Sequence, residues 1–317
     1  MKHSYGKDEV QHAYGSAPAG VMEPPGVVLA EQNVFSERAR RLRELAGRVA
    51  PLREFLGFMA RVALAQHQAL ASRKSAWVPE PSAFELALEH DMAPLGIHAL
   101  RRDIDWQAEL TAILDALELH VGEAQRPLLA RLREMEGAEL EALADEVLEG
   151  RAGAEDSRGL MPLVAAALQV AWVRMAQALP RPPKRPPPEA RALCPCCGSA
   201  PVASVIHIDK QRSGVRYLHC GICATEWHLE RAKCSVCDGS AKLDYLGLAD
   251  EADEPVLPMQ AETCGDCNSY LKVVSREWNA SAEPLADDLA SLALDLMIAE
   301  EGKFVRSGFN PLLIVGE

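Results

Sequence analysis

CPCCGSAPVASVIHIDKQRSGVRYLHCGICATEWHLERAKCSVC, residues 194–237, holds three Cys-x-x-Cys pairs, and ETCGDC at 262–267 adds a fourth. The pairs are Cys194/Cys197, Cys220/Cys223, Cys234/Cys237 and Cys264/Cys267. Two cysteines at this spacing bring both sulfurs to one ion, because the short loop between them turns its backbone N–H groups toward the sulfur charge. Eight such thiolates fill two tetrahedral four-cysteine sites. Disulfides are the competing reading. Met1 to Ala30 lacks the basic and apolar regions of a secretory signal, so a reducing compartment and metal ligation are expected.

Spacing also suggests how the pairs combine. Cys197 and Cys220 are separated by 22 residues and Cys237 and Cys264 by 26, but Cys223 and Cys234 by only 10. Each long gap contains strand-like sequence: Val202–Ile208 and Val215–His219 around the Ser213-Gly214 turn, then Lys242–Leu248 and Tyr270–Val274. This is the knuckle–hairpin–knuckle order of rubredoxins and zinc ribbons. It favours two consecutive modules over a cross-braced arrangement, which would thread the 10-residue link through both sites. Gly198 and Gly239 are expected to supply the left-handed turns of the knuckles. Cys196, inside the first knuckle, reads as a spectator thiol rather than an exchangeable ligand. His219 and His228 lie near the second knuckle, where four sulfurs already complete the tetrahedron. His228 is therefore expected to pack or hydrogen-bond outside the ligand set. His207 falls in a strand away from any knuckle.

Working outward, Arg181–Pro188 reads RPPKRPPP, which cannot continue a helix and favours a stiff extended connector. Before it the pattern is helical. Ser36 can cap a run in which Leu42, Leu45, Val49, Leu52, Leu56 and Met59 recur every three or four residues, with Pro51 expected to kink or split it. Further helices are expected from Ser82, from near Asp105 (Trp106, Leu110, Ile113, Leu114, Leu117), from Pro127 to about Gly137, and over Ala138–Leu148. Leu160–Leu179 is apolar almost all round and suits the centre of a bundle. After the cysteines, Leu285–Ala299 is expected to form one helix with Leu289, Leu292, Leu296 and Ala299 on a single stripe. The apolar tail Phe304–Val315 should dock.

The fold expected is therefore multidomain α+β, with an N-terminal all-α helical domain, two small rubredoxin-like or zinc-ribbon modules, and a C-terminal helix. The divisions are a flexible tail over 1–30, helices over 31–180, a linker over 181–188, metal modules over 189–232 and 233–281, and a helix with docked tail over 282–317.

Charge narrows the functional classes. The 317-residue chain carries 33 Lys+Arg against 46 Asp+Glu, net −13, and residues 189–317 alone hold 11 against 20, net −9. Metal-bound thiolates would deepen that negative balance. A ribbon that binds nucleic acid needs a basic footprint, so no nucleic-acid partner is expected. The longest apolar run, Leu160–Val173, is too short to span a bilayer, and no direct membrane insertion is expected. Phosphate-binding loops, HExxH and G-x-S-x-G motifs are absent from the sequence. Closed four-thiolate sites leave no position for substrate, which argues against an enzyme.

CPCCGSAPVAS at 194–204, RYLHCGICATEWHLERAKCSVC at 216–237, ETCGDCNSYLKV at 262–273 and ADDLASLALD at 286–295 together resemble the FdhE family, from about residue 191 to Asn310-Pro311. The resemblance implies a helical domain joined to two rubredoxin-like modules. It also implies a cytoplasmic accessory protein that binds the catalytic subunit of a respiratory molybdenum formate dehydrogenase before twin-arginine export. Iron is favoured over zinc by the resemblance alone, since tetrathiolate sites accept either. All eight family cysteines are present, and Cys196 is a departure from the pattern. The alternative function is a rubredoxin-like electron carrier for that enzyme or another redox partner. Glu226, Trp227, His228 and Arg231 are taken as a candidate partner-binding face, weighed equally against Trp227 simply packing beside a knuckle. Homo-oligomerisation is left open.

Overall fold

The computed structural model describes residues 24–72, 80–98, 106–151, 154–209, 212–249 and 255–313. The expected tail up to residue 23, the helix start at Asp105, and Ile314 and Val315 of the docked tail lie outside the described residues.

Strand β1 (Val27–Val28) precedes α1 (Val34–Arg48), which begins two residues before Ser36; the Ser36 hydroxyl donates back to Asn33 O at 2.8 Å. Pro51 splits the long apolar repeat as expected: a single 3-10 turn over 50–52 separates α1 from α2 (Arg53–Ser72). Helices α3 (Pro81–Glu89), α4 (Trp106–Glu118), α5 (Arg126–Glu134), α6 (Gly137–Leu148) and α7 (Met161–Gln177) follow. Helix α4 buries Trp106, Leu110, Ile113, Leu114 and Leu117, the stripe its period required. Helix α7 is buried on every side from Pro162 to Val173 and is enclosed by α2, α4 and α6.

Beyond the proline-rich segment come β2 (Pro201–Ile206), β3 (Arg216–Cys220), β4 (Glu226–His228), β5 (Leu243–Ala249), β6 (Pro255–Cys264), β7 (Ser269–Ser275), α8 (Pro284–Ala290), α9 (Leu292–Glu301) and β8 (Val305–Arg306). The eight strands form one sheet in the order β1-β4-β3-β2-β7-β6-β5, with β8 beside β7. Each cysteine-bearing segment contributes an antiparallel meander. A parallel pairing of β2 with β7, Ser204 opposite Val273 and Ile206 opposite Ser275, joins the two meanders edge to edge. Val27–Val28, at the end of the stretch expected to be loose, pairs with Trp227 and Glu226.

The C-terminal helix differs from its expected form. Ser291 breaks it, its hydroxyl donating to Asp287 O at 2.8 Å, and the chain restarts as α9 on a new phase. Leu294 and Ile298 become the buried positions, while Leu296 is 66 % exposed and leaves the expected stripe. Helix α8 is buried throughout and packs on α1, α2 and the sheet.

One apolar core runs from Val27 through the helices to the first cysteine module, α8 and Leu312. Ionic pairs cross the same boundary. Arg41 grips the buried Asp287 carboxylate, with Nη2 to Oδ1 at 2.6 Å and Nε to Oδ2 at 3.0 Å, and Arg38 Nε reaches Glu283 at 3.0 Å. Asp288 points the other way, accepting from Arg306 Nη2 at 2.6 Å and Asn310 Nδ2 at 2.9 Å, with Lys272 Nζ at 3.2 Å. Burial alone would raise the Asp288 carboxyl, but Lys272, Arg306 and Asn310 outweigh it and hold the group below its ordinary value. Adjacent aspartates in α8 thus fasten one side to the helices and the other to the C-terminal tail.

Candidate metal centres

The eight expected cysteines gather as consecutive pairs, Cys194/Cys197/Cys220/Cys223 and Cys234/Cys237/Cys264/Cys267, with all sulfurs of a group within 4.8 Å of one another. Neighbouring sulfurs stand 3.4–3.7 Å apart across the pairs. A tetrahedron with metal–sulfur bonds of about 2.3 Å has edges of about 3.8 Å, so the donor set fits a tetrathiolate-bound ion. Either group could hold one.

All four knuckles share a backbone device. The residue after the second cysteine is left-handed: Gly198 (φ 78°), Ala224 (φ 54°), Asp238 (φ 58°) and Asn268 (φ 55°). The chain can then fold back so that Gly198, Asp238 and Asn268 N–H groups donate to the first cysteine's carbonyl at 2.8–3.1 Å. Gly198 therefore does what was expected of it, but in the third knuckle the left-handed position is Asp238, not Gly239. Two residues after the second cysteine, Ser199, Thr225 and Ser269 place hydroxyls 3.0–3.2 Å from cysteine sulfurs. Backbone N–H groups of Ile222 and Cys223 lie 3.4 Å from Cys220 Sγ, as does that of Val236 from Cys234 Sγ. The backbone N–H donors stabilise negative sulfur, whereas the Thr225 hydroxyl accepts from the Cys223 thiol.

Environment separates the two groups. In the first, burial pushes the Cys194, Cys197 and Cys223 thiols well above their ordinary value; burial acts likewise on Cys220, but hydrogen bonds from its three partners and Ser199 bring it well below. A divalent cation inverts this balance and draws all four to thiolates. In the second group Cys237 is exposed and Cys267 half-buried. Burial raises Cys267, yet the Ser269 hydroxyl and neighbouring donors carry it down to about 7.

The helical half reaches the first group directly. Leu95 N–H and Ile97 N–H donate to Cys196 O and Cys197 O, both at 2.9 Å, and Trp172 Nε1 secures Leu95 O at 2.9 Å. Gln169 Nε2, in the centre of α7, donates to Gly221 O between Cys220 and Cys223 at 2.7 Å. Cys196 is fully buried in the shared core. Sequence periodicity gave Gln169 only as an interruption of an apolar helix; its partner in the knuckle had no local signal.

The four residues weighed as a partner-binding face do not share one exposed surface. Trp227 is fully buried, with Nε1 donating to Arg191 O at 2.8 Å. Glu226 is buried on the opposite side of β4, where His207 Nε2 (2.8 Å) and His219 Nδ1 (3.2 Å) approach its carboxylate. Burial opposes ionisation there, but the two histidines hold Glu226 well below the usual carboxylate range. His228 is half-buried and meets Tyr217 edge-on at 5.8 Å, so it packs outside the ligand set. Arg231 is exposed, 3.4 Å from Glu277. Successive side chains of a strand point to opposite faces, and both faces of β4 are covered, so neighbouring Glu226 and Trp227 are buried on opposite sides rather than sharing one face.

Between the modules, Arg216 clamps Glu262 with two N–H···O bonds of 2.8 Å, and its Nε donates to Ser204 Oγ at 3.0 Å. The arginine that opens RYLHC therefore ties the two ribbons together, another role that adjacent sequence did not reveal.

Comparison with known proteins agrees with this construction. The family described as "FdhE, N-terminal" matches residues 24–189, "FdhE, central domain" residues 193–231, and "FdhE, C-terminal domain" residues 232–313. A "Protein FdhE homolog" of Cronobacter sakazakii is 38% identical over 294 residues, covering 93% of this chain and 92% of the relative. A homologue from Haemophilus ducreyi is 40% identical over 290 residues, covering 92% of each. The crystal structure of the FdhE protein from Pseudomonas aeruginosa superposes with a TM-score of 0.81 at 36% identity, covering 92% of this chain and 100% of that one. The chain belongs to the FdhE family.

Proposed function

We propose that this FdhE-family chain is a non-enzymatic accessory protein for respiratory molybdenum formate dehydrogenase, binding the catalytic subunit in the cytoplasm before export. The family is one of formate dehydrogenase accessory proteins, and matching segments span nearly the whole described chain. The observation that carries the reading is the closure of both cysteine groups: four sulfurs each complete a tetrahedral donor set and leave no ligand position for a substrate. Cys194, Cys197, Cys220 and Cys223 would hold one ion, and Cys234, Cys237, Cys264 and Cys267 the other. Such ions cross-link a strand-poor region and, if iron, supply one-electron chemistry. No described helix is long and apolar enough to cross a membrane.

The test is capture of the formate dehydrogenase catalytic subunit on the tagged protein from anaerobically grown cells, with formate dehydrogenase activity measured after deletion and complementation. Full activity in the deletion strain, or no capture of that subunit, would refute the reading.

The exposed Cys237 favours a second reading, in which the second group exchanges electrons with a partner at the surface. Metal analysis after oxygen-free purification, followed by client binding at defined oxidation states, separates the two. An accessory role with structural metal requires binding that is indifferent to oxidation state.

A further inference from the structure

LRELAG at 42–47 and LREFLG at 52–57 repeat one pattern, Leu-Arg-Glu-x-x-Gly, whose arginines and glycines serve neither the core nor the cysteine groups. The first copy ends α1 and the second leads into α2. Residues 49–52 join these helices, which pack on one another and so run antiparallel, and the two copies meet at one corner. Arg43, Gly47 and Arg53 are exposed there, and Gly57 is half-buried. Arg61 continues the row of Arg53 and Gly57 along α2, its guanidinium 5.9 Å from the centre of the Phe58 ring. The glycines have no internal task. Both keep a right-handed backbone, and a Cβ added at either would meet nothing within 4 Å. Alanine is the better helix former at such positions, so neither backbone nor packing asks for glycine. A bare row on a helix is what another backbone needs in order to approach closely.

The arginines are also in excess. Residues 34–72 hold seven arginines and three glutamates, with no lysine or aspartate. Glu283 and Asp287 answer Arg38 and Arg41, and Glu37 and Glu44 answer Arg40 and Arg48. Arg43, Arg53 and Arg61 pair with no carboxylate among the described residues, and Glu54 is the one unpaired acid beside them. Helix α4, packed on α2, commits Glu109 to Arg174, and Asp115 and Glu118 to Arg133. Glu31, which has no cation among the described residues, lies beyond the far end of α1. Three guanidiniums against one carboxylate leave the corner with a surplus of two positive charges, in a chain whose net charge is −13.

We propose that the α1–α2 corner docks an acidic face of a partner protein. The partner's carboxylates pair with Arg43, Arg53 and Arg61, and its backbone lies against the rows bared by Gly47 and Gly57. Guanidinium forks match carboxylates bidentately, which suits them to such a face. A nucleic acid or an anionic bilayer extends past so small a corner and would meet the surplus acids of the rest of the chain. A protein face of matching extent does not. Naming that partner as the formate dehydrogenase catalytic subunit rests on the accessory role proposed above.

The experiment titrates the full-length, metal-loaded protein with the purified catalytic subunit at low and at high ionic strength. Arg43→Glu combined with Arg53→Glu is expected to raise Kd at least tenfold and to remove most of its salt dependence. Gly47→Gln combined with Gly57→Gln is expected to raise Kd at least tenfold while unfolding at the same or a higher denaturant concentration. A merely structural role for the glycines cannot give that combination. Unchanged affinity in either double variant overturns the surface and leaves the accessory role standing. No association of the unaltered protein overturns both. Binding to phosphatidylglycerol vesicles, or self-association in sedimentation, that the arginine variant abolishes assigns the corner to a bilayer or to a second copy, and overturns the proposal as well. Should the glycine variant lose helix, the arginine variant decides alone, since its exposed, unpaired positions leave the fold intact.

Discussion

The two cysteine groups offer the same four-sulfur inventory in two different settings. The first is wholly buried, lies in the apolar core shared with the helices, and has knuckle carbonyls that accept from Leu95, Ile97 and Gln169. The second sits near the far edge of the sheet beside a small cluster of Ala261, Tyr270, Leu294 and Ile298, with Cys237 exposed. Charged pairs such as Lys242 with Asp266 surround it at the surface. Donor identity therefore does not fix what a metal contributes. Burial and the connections of the knuckle do: the first group is a junction of helices and sheet, whereas the second cross-links its own meander.

The largest expected effect tests that contrast directly. Apparent binding energies at structural four-cysteine sites, about 10–16 kcal/mol, exceed the roughly 5–15 kcal/mol net stability of a typical domain. Cys220→Ser should lose one metal per chain and expose both the helices and residues 190–280 to protease. Cys267→Ser should also lose one metal, with cleavage confined to residues beyond about 233. Equal damage from the two would abolish the distinction. With chelator, metal should leave in two phases, and the fast phase should be absent from Cys267→Ser.

Arg41→Ala comes next. It strands the buried Asp287 carboxylate and should cost about 3–5 kcal/mol in chemical denaturation. Loss of the helices and of the sheet should coincide, because α8 joins them. Two separate transitions would show that the halves unfold independently.

Gln169→Leu should cost about 1–3 kcal/mol, since Gly221 O loses its buried donor. Chelator should then extract the first ion faster and the second at its original rate. Any acceleration at the second group would mean that the two centres are coupled through the sheet.

The last expected effect is read in acid rather than at neutral pH. Asp288 has a folded-state pKa below its unfolded value, so its stabilisation is complete above about pH 4 and disappears as pH falls through the folded pKa. Asp288→Asn should flatten that part of the stability profile. An unchanged acid limb would assign it to protonation of the metal-bound sulfurs instead.

Where the signal was local, the sequence was legible. Cysteine spacing gave the two groups and their consecutive pairing, and apolar period gave the helices from α1 to α7. Strand β6 escaped because Pro255 and Pro258 argue against a strand; both precede Met259, where pairing with β7 begins, and a register shift accommodates them against β5. The break at Ser291 escaped because a serine in a helical pattern reads as a surface residue. Asp287 and Asp288 carry no local signal of burial, since the arginine that pairs with Asp287 lies 246 residues away. Polar residues whose partners are distant carry no periodic signature.

That separation also has a temporal meaning. Arg41 emerges from the ribosome long before Asp287, and at about 5–20 residues per second the interval is on the order of 12–50 s. Throughout that interval the Arg41 guanidinium on α1 has no carboxylate from α8 to pair with, and β1 has no partner until β4 emerges. Completion of the native body must wait until α8 has emerged, so a nascent-chain chaperone has its opportunity on the N-terminal helices.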